Sequence, residues 1–538
     1  MAISDELNTE DWSNEMNEMN VEIGTDGTNE SDETNELGES SELTNIAASE
    51  VGCKASSTAG FLANTTGLAT VGGILEVIPA AIAAVPVPPL MMGTALGTAA
   101  TMVSMSPKRS ALQRYQQDLR RHRIQSSIPH KWFIPLTHVH RLVRRYVLAI
   151  LQEESLVQTE ITSWSSRIIK EAPKVLTILT QVQQGRRIID FMNEGIRDDD
   201  LPLQIVPAHD NVSIALVTRH NKPIRALESL DEITIDRLYE RQFPVPNPVF
   251  RRGEHYSLNE LHTLPFIRVE TEEVHEAKYA GGFGDVHREY IHPDHHTFKV
   301  LSRNNGLAVA VKIVYMKEDY EIERKVYRDL GQTRHPHLLE LLFTFCQDHL
   351  RHVVFPWADG SLRDYWRQYP TPGQDSDNIH WSLEQMVGTA SALAFIHEFK
   401  DAKLGTTLYG RHGAIRARSI LRFRETNVLK IGSLGLARLH STDPPVDPAT
   451  VVELPTYSPP DRERRLLVSR KWDTFGLGCL YLEFVTYLVL GNAAIQQFSR
   501  HREGTNRDTP ELISDNSYTE DCESVRPSVT LWVEQLKQ

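Results

Sequence analysis

Cysteine is scarce: four in 538 residues, at Cys53, Cys346, Cys479 and Cys522, with no C-x-x-C pair among them. That spacing excludes a disulfide scaffold and a paired-thiolate zinc site, and no metal site is expected. It fits a reducing compartment, so a cytoplasmic location is expected, with membrane association left open by a segment described below. Basic residues are missing from residues 1–50, which hold 15 Asp and Glu and no Lys or Arg. The formal charge of −14 therefore belongs to that stretch, the remaining 488 residues summing to +1. With neither a basic patch nor an early apolar run, the N-terminus does not read as a secretory signal.

Apolar residues are thinly scattered at the start and form no long run. Residues 1–54, rich in Asn, Glu, Ser and Thr, bury too little surface to offset chain entropy and read as a disordered acidic tail. Residues 55–107 lack charge instead, Glu76 being the single exception. The 31 uncharged residues from 77 to 107 exceed the roughly 20 needed to cross a bilayer. Pro79, Pro86, Pro88 and Pro89 argue against a regular helix, while the following Lys108, Arg109 and Arg114 suit anionic headgroups. Membrane engagement and an apolar linker are both open readings of this segment.

Beyond 108 the pattern becomes that of folded protein, and at this length two or three units are expected. Residues 108–200 carry helical periodicity, with Val143, Val147, Ile150 and Leu151 on one stripe and a break near Pro173. Residues 201–275 are punctuated by proline and read as a connector packed on the next unit. From 276 short β-type runs appear around a glycine cluster.

That cluster, Ala280-Gly281-Gly282-Phe283-Gly284-Asp285-Val286, resembles the glycine turn that lays backbone N–H groups over phosphates. It is followed by Ala308-Val309-Ala310-Val311-Lys312, a strand carrying a phosphate-pairing lysine, and by a helix from Lys317 in which Glu323 is placed to reach Lys312, with Glu321 as the alternative. Pro356-Trp357-Ala358-Asp359-Gly360 reads as a hinge whose backbone would receive an adenine edge. A helix over 381–397, with Leu383, Val387, Ala390, Leu393 and Ile396 on its stripe, leads to residues 409–435, YGRHGAIRARSILRFRETNVLKIGSLG. This is the layout of a protein-kinase catalytic loop and metal-binding loop.

The chemistry of that layout is missing. Where the motif has a base Asp, a phosphate-steadying Lys, a metal-holding Asn and a metal-holding Asp, this chain has Ala414, Arg416, Ser419 and Ser433. Positions that support the fold persist: His412, Leu434, and Asp473 in a buried helix under the loop. The cluster Ile291-His292-Pro293-Asp294-His295-His296 has ligand-type residues, but it falls at a strand turn and is not read as a metal site.

From about residue 140 onward the chain resembles the protein kinase-like proteins of filamentous ascomycete fungi. The resemblance rests on Leu264-Pro265-Phe266, residues 281–284, 291–296, 310–312, 335–338, 355–360 and 412–421. It implies an α+β, bilobal protein kinase-like fold over 276–538, with a small lobe at 276–355 and a large lobe at 359–538, preceded by the mainly helical region and the tail. In intact members it implies Ser/Thr phosphorylation with ATP and Mg²⁺. Carried onto this chain, the nucleotide-side positions are Gly281, Gly282, Gly284, Val286, Ala310, Lys312 and Glu323, and no catalytic residue is intact. The large lobe is expected to be short, with no Arg found to pair Asp461 before Gln538. The expectation is a pseudokinase that binds protein partners rather than nucleic acid, with ATP binding open and Mg²⁺ binding not expected. A weakly active Ser/Thr kinase and a membrane-acting effector are the alternatives.

Overall fold

The computed structural model describes residues 109–538 apart from 155–156, 208–213, 270–278, 282–283, 300–305, 374, 402, 404, 443–454, 462–463, 465, 506–512 and 520. The acidic tail and the apolar segment lie outside the described residues.

The chain first builds a helical unit: α1 (Ala111–His122), the two-residue strands β1 (Ile124–Gln125) and β2 (Trp132–Phe133), α2 (Leu136–Gln152), α3 (Gln158–Glu171), α4 (Pro173–Gln181) and α5 (Ile188–Asn193). Ser110 caps α1 in a reciprocal box with Gln113, which satisfies two otherwise orphaned N–H groups. Pro173, whose ring cannot continue a helix but suits its first turn, separates α3 from α4. Asp198 then caps α4 by accepting from Lys174 N at 2.9 Å and Val175 N at 3.1 Å.

The stretch read from sequence as a connector, 201–275, divides between two cores. Hairpin β3 (Gln204–Pro207) and β4 (Ile214–Val217) and helix α6 (Glu232–Gln242), with the residues that flank them, pack Leu203, Leu216, Leu227, Ile235 and Leu238 into the helical core. Phe250, Leu264 and Phe266 pack instead against the following sheet. Into that sheet β5 (His255–Leu258) inserts as an edge strand, parallel to β9 (Phe343–Gln347). The sheet therefore begins before 276, since a parallel partner is supplied by a distant segment that no local periodicity marks.

The remaining strands of this six-stranded sheet are β6 (Tyr279–Gly281), β7 (Gly284–Ile291), β8 (Leu307–Val314) and β10 (Leu350–Pro356), in the order β5-β9-β10-β8-β7-β6. One face buries Ile291, Leu307, Val309, Val311 and Val354 against Phe250 and Phe343. Helix α7 (Lys317–Leu330) crosses the other face through Tyr320, Val326, Tyr327 and Leu330.

The second lobe is mainly helical. It contains β11 (Gly360–Ser361), α8 (Leu362–Gln368), α9 (Ser376–His397), β12 (Phe399–Lys400), β13 (Thr407–Arg411), β14 (Ile420–Phe423), β15 (Val428–Ile431), β16 (Arg438–His440), α10 (Lys471–Leu490), α11 (Asn492–Arg502), the pair β17 (Glu503–Thr505) and β18 (Ile513–Asp515), and α12 (Pro527–Leu536). The stripe expected on α9 holds in its second half, where Leu393 and Ile396 are buried and Ala390 packs against the same core, and fails in its first half. Leu383 and Val387 are 53% and 71% exposed, while Ser382, Gln385 and Thr389 are buried beside Met386, Leu393 and Ile396. The polar members are satisfied where they sit: Ser382 Oγ donates to Asn378 O at 2.8 Å, and Gln385 Oε1 accepts from Leu429 N at 2.9 Å. Helix α10 is long and apolar enough to cross a membrane by length and composition, with half of its apolar window buried. Its buried Leu477, Leu480, Phe484 and Tyr487 belong to the core of this lobe.

Candidate functional site

Alternation along β8 decides the site. Val309 and Val311 enter the sheet core, so Ala310 and Lys312 face the opposite way, toward α7 and the second lobe. Lys312 Nζ lies 2.8 and 2.6 Å from the two carboxylate oxygens of Glu323. The lysine side chain is 12% exposed and the glutamate 2% exposed, so this is a buried pair. Glu321, the alternative partner, is 53% exposed and faces Arg324. The reason is helical phase: Tyr320, Glu323, Val326, Tyr327 and Leu330 share the inward face of α7, and Glu321 does not.

The turn formed by Ser433, Leu434 and Gly435 seats directly on this pair. Leu434 is fully buried and its N–H donates to Tyr327 Oη at 3.4 Å. A Cβ on Gly435 would lie 3.3 Å from Lys312 Nζ and 3.4 Å from Glu323 Oε2, so a side chain there would press on the pair. Ser433 has a left-handed backbone, φ 61°, and an exposed side chain.

The loop after β13 hangs from one carboxylate. Asp473, on α10, accepts from His412 N at 2.7 Å and from Gly413 N at 2.8 Å, and His397 Nε2 lies 3.1 Å from it. Gly413 has φ 80°, a conformation that the loop needs and glycine takes without penalty. His412 is fully buried, and burial holds its imidazole below the usual histidine range. Its partners fix the tautomer: Nδ1 accepts from Ala414 N at 3.1 Å, and Nε2–H donates to Gly432 O at 2.8 Å.

On this frame the four substituted positions present little chemistry. Ala414 offers a methyl group and is buried. The Ser419 hydroxyl is consumed locally, donating to Arg416 O at 2.8 Å and accepting from Arg416 N at 3.0 Å. Its side chain therefore closes a turn of the loop. Arg416 is half-buried beside it.

The glycine turn is described in part. Gly281 and Gly284 face each other in the β6–β7 register, and Val286 stands opposite Lys312. Gly282 lies outside the described residues. Among the described residues no group of three or more His, Cys, Asp or Glu side chains is placed to hold a metal ion. The 291–296 histidines do different work. Asp294 accepts from Thr137 N at 2.9 Å and so caps α2, which has no side-chain cap of its own, while Phe133 packs edge-on against His292 and His295. Tyr327 was expected from sequence to face inward with Leu330 and does so. His397 and Gly435 were not singled out, because each acts through a partner on a remote element.

No protein-family model matches the chain. It is 26% identical over 213 residues to an Arabidopsis thaliana protein named a "Probable receptor-like protein kinase", covering 38% of this chain and 39% of that protein. It is 26% identical over 200 residues to Cyclin-dependent kinase-like 4 of Mus musculus, covering 35% and 52%. An inactive serine/threonine-protein kinase of Arabidopsis thaliana is 25% identical over 188 residues, covering 34% and 52%. The chain spans about half the length of the curated relatives it matches, or less. These distant relatives are protein kinases, and together with the mixed helix-and-sheet architecture they support a protein kinase-like domain in this chain.

Proposed function

We propose that the chain is a pseudokinase: a kinase-like binding module for a protein partner, without phosphoryl transfer. The observation that carries this is the pairing of an intact frame with emptied chemistry. The Lys312–Glu323 pair is closed and Asp473 holds the loop at His412 and Gly413, yet the base position is a methyl group. Residues that would hold Mg²⁺ do not fit it. Ser419 spends its hydroxyl on Arg416, and Ser433 offers one neutral oxygen to a hard cation that prefers carboxylates. Phosphoryl transfer is mostly positioning and charge neutralisation by metal, so its loss follows from those two positions together with Ala414. Any nucleotide held beside Lys312 is held without metal.

A weakly active kinase is the second reading, favoured by the closed Lys312–Glu323 pair alone. One assay separates the two: transfer of γ-phosphate label to the chain itself and to generic protein substrates, with Lys312→Met as the reference. Equal incorporation by both proteins is expected. Incorporation that depends on Lys312 would overturn the proposal. The variant's melting temperature is measured alongside, because removing Lys312 leaves Glu323 buried and unpaired, which costs about 3–5 kcal/mol.

A further inference from the structure

The face of the sheet that carries Val286 and Lys312 looks onto the cleft between the sheet and the second lobe. Its far end is built from Arg288 and Tyr290, which no motif contains, with Trp357 of the hinge stretch. In the β7–β8 register Arg288 stands opposite Ala310 and Tyr290 opposite Ala308, so both share the face of Val286 and Lys312. The reverse face is the packed sheet core. Arg288 therefore sits on the roof of the cleft, two residues beyond Val286 or roughly 7 Å along the strand. Its guanidinium carbon lies 4.9 Å from the ring centroid of Tyr290 and 5.0 Å from that of Trp357. Trp357 directly follows β10 in the segment leading to the second lobe, and its N–H reaches back to Ala308 O at 3.4 Å.

A planar guanidinium against two aromatic rings uses the contacts that a stacked base would use. Ala308 and Ala310, with one methyl each, provide the shallow floor under it. The same strand thus carries a lysine at the phosphate end and a planar cation at the hinge end, and the hinge donor at Trp357 is turned toward β8. This is a poor fit to a purine.

We propose that Arg288, held by Tyr290 and Trp357, is a built-in occupant of the base end of the cleft and the residue that decides its specificity. A purine nucleotide enters by displacing the guanidinium, whereas a ligand consisting of phosphates alone does not have to. The proposal rests on reading the cleft as a nucleotide-type site, as above. The competing outcome is that the stack only fastens the sheet to the segment after β10.

The test is calorimetric titration of the full chain with ADP and, separately, with inorganic tripolyphosphate, both in EDTA. Arg288→Ala is expected to bind ADP about tenfold more tightly than the parent, with tripolyphosphate affinity unchanged. Arg288→Gln, which keeps a polar group but not the planar cation, is expected to tighten ADP in the same direction. It carries the test if the alanine variant melts early. ADP affinity equal to or weaker than the parent's in both variants overturns the proposal and leaves the pseudokinase reading standing. So does an absence of ADP binding in all three proteins, since opening the stack would then have exposed no base site. Label transfer in the preceding assay overturns the pseudokinase reading and leaves the ADP comparison interpretable on its own.

Discussion

Removal of Asp473 is a costly perturbation whose size the structure allows to be worked out. The residue is 1% exposed, yet it accepts from two backbone N–H groups of the loop and faces His397. Each hydrogen bond to a charged group contributes about 1.5–3 kcal/mol, and the two donors have no water to turn to once the carboxylate is gone. Asp473→Ala should therefore cost about 3–5 kcal/mol. For a unit of 150–250 residues, about 2–4 °C is lost per kcal/mol, so a fall in melting temperature of roughly 6–20 °C is expected. Asp473→Asn is the sharper variant. It keeps the shape but turns one acceptor into an NH₂ group that meets an N–H head-on, so it should be nearly as damaging as alanine. Differential scanning calorimetry of the three proteins measures this. A loss of under about 2 °C for Asp473→Asn would mean that the loop is not suspended from this carboxylate and would refute the reasoning.

Two further outcomes follow from packing and from titration. A Cβ on Gly388 of α9 would fall 2.1–2.4 Å from the His337 ring, whose Nδ1 is 2.9 Å from Leu429 O, so Gly388→Ala should destabilise by about 1–3 kcal/mol. In a His337→Ala background the same change should cost much less, a coupling that a double-mutant cycle of melting temperatures reads directly. Burial pushes His262, His295 and His352 down to about 4, and pushes Asp198 and Glu289 up to about 6. The signs oppose: as pH falls from 6.5 to 4 the unfolded chain binds protons that these histidines refuse, which lowers stability, whereas the two carboxyls bind protons sooner in the folded state, which raises it. Asp198→Asn removes one opposing contribution, so its stability should fall more steeply than the parent's between pH 6.5 and 4, by up to one proton in slope. An unchanged slope in urea titrations across that range would contradict the assignment.

The order of the parts was legible in the residues alone: a glycine turn, the strand carrying Lys312, an acid-bearing helix, then a loop and a second turn. The proposal of emptied chemistry starts there too, since Ala414, Ser419 and Ser433 stand where the kinase motif has a base and two metal holders. Such statements are local in the chain, resting on residue type and spacing, and they survive any detail of packing. Tertiary structure decided everything that depends on a remote partner. Helical phase chose Glu323 over Glu321, and Asp473 reached the loop from 61 residues downstream through its backbone. β5 joined the sheet as a parallel edge, and Asp294 capped a helix 157 residues upstream. In the first half of α9 the buried side went to Ser382 and Gln385, which have partners waiting for them, instead of Leu383 and Val387, which periodicity favours. The Arg288 stack belongs to the same class, because strand register places it over Trp357 and register is set by which faces are buried across the whole sheet.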